Sequence, residues 1–229
     1  MLKDGRRTPV PFLFSIVALV CFCLFAALPA GAADSGRVVR IGCFYDNDFM
    51  NKSASGTYEG YDVDYLYEIA KYANWRYKFI EFDGFEDAFK ALEAGSVDVA
   101  PAIFRTPERA GRLLFSSDDM GKIYITLIVP NRDNKHSYGD CAGFAGMRIG
   151  LLRGTEDACI VRRWCRAQKI RDVSFVEMSS VSSLLKALDD GKLDAAGLSY
   201  MGSSSSYRVV AEFSPTPMYF CTLKDRAEL

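Results

Sequence analysis

KALEAGSVDVA, Lys90 to Ala100, returns as KALDDGKLDAA, Lys186 to Ala196. Each copy ends a helical stripe, places a glycine (Gly95, Gly191) after it, and resumes with an apolar residue and an aspartate before a strand-like run. Glycine at such a position takes the left-handed conformation that closes a helix. The aspartates, Asp98 and Asp194, fall at the edge of the following strand, where a carboxylate can accept hydrogen bonds from backbone. The repeat therefore reads as one structural corner, helix to strand, used twice.

The order of elements around the two corners matches. VVRIGCFY, after Arg37, is a short β-branched run that predicts a strand. TYEGYDVDYLYEIAKYANW follows, with Val63, Leu66, Ile69, Ala70 and Ala73 at helical spacing and Asp62 placed to cap the helix. RYKFIEF predicts a strand, and FEDAFKALEAG a helix with Phe85, Ala88, Phe89 and Leu92 on one stripe. SVDVAPAIF then predicts a strand buried on both faces. The second half repeats the plan with GMRIGLLRGT, EDACIVRRWCRAQK, DVSFVEM, VSSLLKALDDG and KLDAAGLSY. Strand and helix alternating in this way give an α/β fold. Two β-rich runs, YITLIVPNRDNK and YRVVAEFSPTPMYFCTL, connect the halves. The expected division is residues 36–128 plus 217–229 in one lobe and 131–213 in the other, with hinge strands near 124–130 and 214–221. Ligands of open α/β sheets gather at strand C-termini, so facing lobes enclose a cleft.

Composition limits what such a cleft does. The 229 residues are 49% hydrophobic and 25% charged, with a formal net charge of −1. That balance gives no electrostatic reason to expect nucleic acid as a partner. The basic residues Arg162, Arg163, Arg166, Lys169 and Arg171 read as one solvated helix face. The N-terminus has the form of a signal peptide over residues 1–32. Lys3, Arg6 and Arg7 precede an apolar run from Pro11 to Leu28, and Pro29 leads into Ala30-Gly31-Ala32. This predicts export to the periplasm or the extracytoplasmic face of the membrane, with an uncleaved anchor as the minority reading. Cys21 and Cys23 follow Val20 and Phe22, which argues against a lipoprotein anchor.

Five cysteines remain after that segment, Cys43, Cys141, Cys159, Cys165 and Cys221, with no two in a CxxC pattern. A metal site has poor support from them, and no cofactor is expected. Cys43 and Cys221 sit in apolar runs and are expected in the core. The single histidine, His136, lies in the polar run NRDNKHSYGD and is expected to face solvent, leaving no histidine-based triad.

GYDVDYLYEIA (Gly60 to Ala70), KALEAGSVDVAPAIFRTPER (Lys90 to Arg109) and RIGLLRGTED (Arg148 to Asp157) resemble the family 3 extracellular solute-binding proteins, the polar-amino-acid binders of transport systems. The aromatic-rich variant here is similar to the subgroup that forms the sensory input region of bacterial membrane signalling proteins. The resemblance implies a two-lobed periplasmic-binding-protein clamshell of type II, which closes over a small carboxylate-bearing ligand such as an amino acid. Its partner would be a membrane permease, as in ABC transporters, or a fused or separate membrane signalling protein. The family's arginine in T-x-x-R grips the ligand carboxylate, and here that is Arg109. A guanidinium suits the task because its planar fork matches a carboxylate. Thr155 would add donors at a helix N-terminus, with Glu156 beside it. Phe85 aligns with an aromatic of the family pocket, and Phe44 and Tyr45 face the cleft by position.

The chain departs from the family at three positions. Ala102 and Phe104 stand where Ser or Thr is usual before T-x-x-R, and Ser199 stands where an acid usually meets the ligand's ammonium. A buried ammonium without a counter-charge is costly, so apolar or aromatic carboxylates and peptides enter as ligands. The family's closing C-terminal helix is also expected to be missing after LKDRAEL, leaving apolar surface on the first lobe. The expected function is therefore a non-enzymatic binding module. Two rivals are an enzyme of the same fold, such as a dehydratase or lytic transglycosylase, and a remnant without a ligand. For an enzyme, Asp46, Asp48 and Glu156 near the strand ends show no evident partner in sequence.

Overall fold

A computed structural model of the chain describes residues 36–46, 48–200, 205–213 and 215–229, so the targeting segment falls outside the described residues. The first lobe begins with β1 (Arg37–Cys43), which runs parallel to β4 (Trp75–Glu81). Ile41 bridges to Val99, just ahead of β5 (Ala100–Phe104). β5 pairs antiparallel with the long strand β13 (Thr216–Leu223), whose other partners are β6 (Leu113–Phe115) and β7 (Gly121–Ile123). A small hairpin of β2 (Asn51–Lys52) and β3 (Tyr58–Glu59) lies ahead of helix α1 (Tyr61–Ala73). Helices α2 (Phe85–Glu93) and α3 (Pro107–Arg112) complete the lobe.

The second lobe is a five-stranded sheet, β10 (Ser174–Met178), β9 (Arg148–Leu152), β11 (Ala195–Ser199), β8 (Ile125–Pro130) and β12 (Tyr207–Glu212), in that order. The first three strands are parallel, and β8 runs antiparallel to both its neighbours. All six residues of β8 are buried, which accounts for the unbroken apolar run ITLIVP. Helices α4 (Glu156–Ala167) and α5 (Val181–Asp189) cover the sheet. The chain passes from β7 in one lobe to β8 in the other through Tyr124 alone, and returns between β12 and β13.

The repeated corner has a second half that lies some fifty residues away in sequence. Asp98 Oδ2 accepts from the backbone N (2.8 Å) and Nε (2.9 Å) of Arg40, and Arg40 Nη2 donates to the carbonyl of Gly95 at 2.8 Å. Asp194 Oδ2 accepts from N (2.8 Å) and Nε (3.0 Å) of Arg148, whose Nη2 reaches the carbonyl of Gly191 at 2.8 Å. Gly95 and Gly191 both have φ 72°, the left-handed closure expected of them. Each RIG strand is thus pinned by its arginine to the glycine turn of its own lobe.

Three expectations need correction. Asp62 does not cap α1: Gly60 occupies that position, and Asp62 lies inside the first turn, 4% exposed. The helix starts early because the amides of Tyr61 and Asp62 are tied to the carbonyls of Asp48 and Phe49. The strand in SVDVAPAIF begins only at Ala100, since the amides of Asp98 and Val99 turn instead to the carbonyl of Arg40. His136 does not face solvent: its side chain is 14% exposed, with Nδ1 3.0 Å from Asp133 Oδ2. Arg208 closes that loop by donating to the carbonyls of both Asp133 and His136. Cys43 and Cys221 are buried, as their apolar surroundings required, and all the described cysteines are free. On the first lobe, Leu66, Trp75, Leu114, Phe115, Phe220 and Leu229 line an apolar groove of about 320 Å³.

Candidate functional site

Arg109 enters the cleft from α3. Thr106 caps that helix, its Oγ1 accepting from the amide of Arg109 at 3.2 Å, and Pro107 fits the first helical position. The arginine is buried, 9% exposed. Its Nη1 donates to the carbonyl of Phe104 at 3.1 Å, and its Nη2 crosses to the carbonyl of Gly154 in the second lobe at 3.3 Å. The guanidinium carbon lies 5.4 Å from the ring centre of Phe85 and 4.9 Å from that of Phe89. These rings are stacked at 5.5 Å, and Phe44 meets Phe85 edge-on at 6.0 Å. Among the described residues no carboxylate lies within ion-pair distance of Arg109. Burial pushes its pKa below the ordinary value, while Glu156 and Asp157 pull it back up.

The other expected site residues divide into two groups. Phe44, Phe85 and Ala102 line one enclosed cavity, and Phe104 contributes a carbonyl to Arg109 while its ring packs in the core. Ala102 holds φ 54°, left-handed backbone that costs a non-glycine residue about 1–2 kcal/mol. Its amide donates to the thioether sulfur, Sδ, of Met120 at 3.3 Å. Tyr45 stands apart, 48% exposed, in a neighbouring groove with Ser180 and Ser182. Thr155 caps α4: its Oγ1 accepts from the amide of Ala158 and donates to the carbonyl of Leu152. Glu156 is in the first turn of α4 and lies 3.9 Å from Arg163.

Ser199 gives the least anticipated arrangement. Its backbone amide and its hydroxyl both donate to Asp157 Oδ2, at 2.7 and 2.9 Å. A carboxylate therefore sits against Ser199 although the strand itself carries none. It comes from the first turn of α4, and Asp157 is 7% exposed. Burial raises its pKa, opposed by the Ser199 bonds and by Arg109. Two more acids converge from the first lobe. Burial, then the charges of Asp157 and Asp48, push Asp46 up to about 7. Burial and Asp46 hold Asp62 well above the carboxylate range. Sequence reading placed neither in the site, because Asp157 looks like an ordinary first-turn helix acid and Asp62 reads as a helix cap.

The lobes touch directly beside this site. Gly84, ahead of α2, faces the carbonyl of Ser179, ahead of α5. Arg153 Nε lies 3.9 Å from Glu86 across the same seam. Among the described residues, no group of three or more His, Cys, Asp or Glu side chains is placed to hold a metal ion.

A buried guanidinium at the seam of two α/β lobes is the feature that known proteins can be compared with. Residues 39–137 match the profile of the bacterial extracellular solute-binding proteins, family 3. Over those residues the chain is similar to that family. The histidine-binding periplasmic protein of Salmonella typhimurium is 24% identical over 184 residues, covering 80% of this chain and 68% of its own. An arginine third transport system periplasmic binding protein from Legionella pneumophila superposes with a TM-score of 0.69 at 18% identity, over 83% of this chain and 88% of its own. The periplasmic domain of BvgS from B. pertussis gives 0.70 at 16% identity, over 83% of this chain and 38% of its own. At these identities the structural likeness is one of fold, the type II periplasmic-binding-protein clamshell. By name, the Salmonella and Legionella proteins are periplasmic binding proteins and the third is a periplasmic domain.

Proposed function

We propose that this chain is an extracytoplasmic binding module whose lobes close over a small carboxylate-bearing ligand. The observation that carries the reading is Arg109, a buried cation with no carboxylate among the described residues in ion-pair range. Leaving such a charge without a counter-ion costs several kcal/mol. Its two carbonyl contacts and two phenyl faces fix its orientation and offset part of that cost. A ligand carboxylate supplies the missing charge in bidentate geometry. Because Nη2 already reaches across to Gly154, the same residue couples binding to closure of the lobes.

Asp157 revises what the ligand can carry. Ser199 stood where the family places an acid, and the lack of one argued against free amino acids. With Asp157 bonded to that serine, a carboxylate is available to a ligand ammonium after all. Amino acids and related zwitterions therefore rank first as ligands, with a membrane permease or a membrane signalling protein as the partner that reads the closed form.

The test is a thermal-shift screen of amino acids, organic acids and short peptides on the wild type and on Arg109→Ala. A ligand that raises the melting temperature of the wild type and leaves the variant unmoved supports the reading. A ligand that stabilises both equally shows that Arg109 is not the grip.

A further inference from the structure

The five basic residues that read in sequence as one helix face do not share one. α4 ends at Ala167, so Arg162, Arg163 and Arg166 lie on it, while Lys169 and Arg171 lie in the turn that leads to β10. The helix closes on Lys169 itself, at φ 54°, and the amides of Lys169 and Ile170 donate to the carbonyls of Arg166 and Cys165, both at 3.0 Å. A second left-handed residue, Asp172 at φ 58°, turns the chain again. Two hollows flank this doubled turn and share Ile170 and Asp172 as walls. Arg162 and Arg166 wall one, of about 280 Å³, together with Val173 and Phe175. Lys169 and Arg171 wall the other, of about 520 Å³.

Charge is not balanced here. Arg162 lies over the ring of Phe175 at 4.6 Å and bonds Glu177 at 3.0 Å, so its charge is met. Arg166, Lys169 and Arg171 are exposed, and among the described residues no carboxylate lies within ion-pair distance of them. Asp172 is the one acid in the walls of the two hollows. The whole chain carries 28 basic against 29 acidic residues, so the excess belongs to this face and not to the molecule. A helix C-terminus favours cations near its last turn, which accounts for Arg166 but not for Arg171 beyond it.

Partners of different shape meet this face differently. A single small anion engages one hollow and leaves the cations of the other unmet. An acidic strand added to the free edge of β10 would run against Glu177. A planar anionic surface meets all three free cations at once, with half-buried Ile170, Val173 and Phe175 between them. We propose that this end of the second lobe docks on a bilayer surface of anionic phospholipid. α4 starts at the cleft, where Asp157 bonds Ser199, and Arg166 lies about 14 Å further along its axis. The docking face is thus remote from Arg109, and the inference does not depend on the carboxylate grip.

Vesicle cosedimentation tests this. Residues 37–229 form one compact unit, so the chain from Ala33 onward is used, free of the apolar run from Pro11 to Leu28. Vesicles of mixed phosphatidylglycerol and phosphatidylcholine are expected to bind it, and pure phosphatidylcholine is not. Binding should fade as salt rises from about 0.05 to about 0.5 M and screens the charges. Each basic residue at such a surface contributes about fivefold in partitioning, so Arg166→Gln combined with Lys169→Gln should weaken binding about twentyfold or more. Asp172→Asn should tighten it several-fold, a gain that a damaged fold cannot imitate, and asparagine accepts the left-handed turn. Should the double variant fail to fold, Arg171→Gln carries the comparison with a loss of about fivefold. No binding to anionic vesicles, equal binding to neutral ones, or unchanged partitioning in these variants overturns the proposal. Binding to polyglutamate in place of anionic vesicles overturns it as well, and makes the partner an acidic protein.

Discussion

A Cβ built on Gly84 would lie 1.9 Å from the carbonyl oxygen of Ser179, on the opposite lobe. No side chain tolerates that approach, and the oxygen belongs to backbone that cannot swing aside. Gly84 has φ −169°, extended backbone open to any residue, so space alone requires glycine here. Gly84→Ala is therefore expected to wedge the lobes apart without disturbing either one. Ligand affinity should fall by about tenfold or more, since the closed state loses population. The melting temperature of the free protein should barely move. Small-angle scattering checks it: wild type contracts on adding ligand, and the variant stays open. Contraction in both would show that closure does not pass through this contact.

The twin arginine–aspartate corners give a matched pair of stability tests. Asp98 is the more enclosed, its side chain 14% exposed against 33% for Asp194, and it also receives Arg226. Asp98→Ala removes several charge-assisted bonds from a poorly solvated place and should cost about 2–3 kcal/mol. Asp194→Ala should cost about 1 kcal/mol or less, as a more exposed pair does. Chemical denaturation of both variants checks the ranking. Arg40 and Arg148 hold the respective carboxyls below the usual range. The stability they add is therefore present above the unfolded-state pKa and fades as pH falls through the folded value.

These corners show what was legible in the sequence. KALEAG and KALDDG declared the helix ends, because glycine closure is a local property written within one turn. The strand order, helix stripes and two-lobed plan followed from periodicity in the same way. The arginine partners were not legible, since Arg40 lies 58 residues before Asp98 and nothing local links them. The cleft repeats the lesson. Arg109 stands out in sequence only through the resemblance of its TPER setting, and the structure buries it between the lobes. The acid at Ser199 is not, because it arrives from α4 rather than from the strand that presents the serine. Asp62 reads as a helix cap until the turn at Phe49 shifts the helix start and buries it.

The three converging acids set the pH dependence of the free protein. Asp46 is raised to about 7, and Asp62 and Asp157 are raised as well, burial leading in all three. A carboxyl whose folded pKa is raised binds more protons folded than unfolded, so stability falls as pH rises between the two values. The window starts near the unfolded carboxylate value of about 4 and, for Asp46, closes near 7. The lowered carboxyls, Asp98 and Asp194 among them, are already ionised in both states above about pH 5 and do not oppose this slope. The free protein should therefore melt higher at pH 5.5 than at pH 8. Asp62→Asn should flatten the difference. A wild-type melting temperature that rises from pH 5.5 to 8 would contradict the arrangement.

Arg109 itself should contribute little to the stability of the free protein, whatever its proposed part in binding. Burying a lone guanidinium costs several kcal/mol. Against that stand two bonds from a charged donor, about 1.5–3 kcal/mol each, and two aromatic faces worth up to about 2 kcal/mol each. The opposing sums are of similar size. Arg109→Met keeps most of the side-chain volume and removes both, so unfolding free energy should change by less than about 2 kcal/mol. Arg109→Lys keeps the charge but cannot reach the carbonyls of Phe104 and Gly154 together with a planar fork, so it should lose binding almost as fully as Arg109→Met. Denaturation curves and titrations on the two variants check this. A large loss of stability in Arg109→Met would mean that the guanidinium is a strut of the fold, and that its open face is not reserved for a ligand.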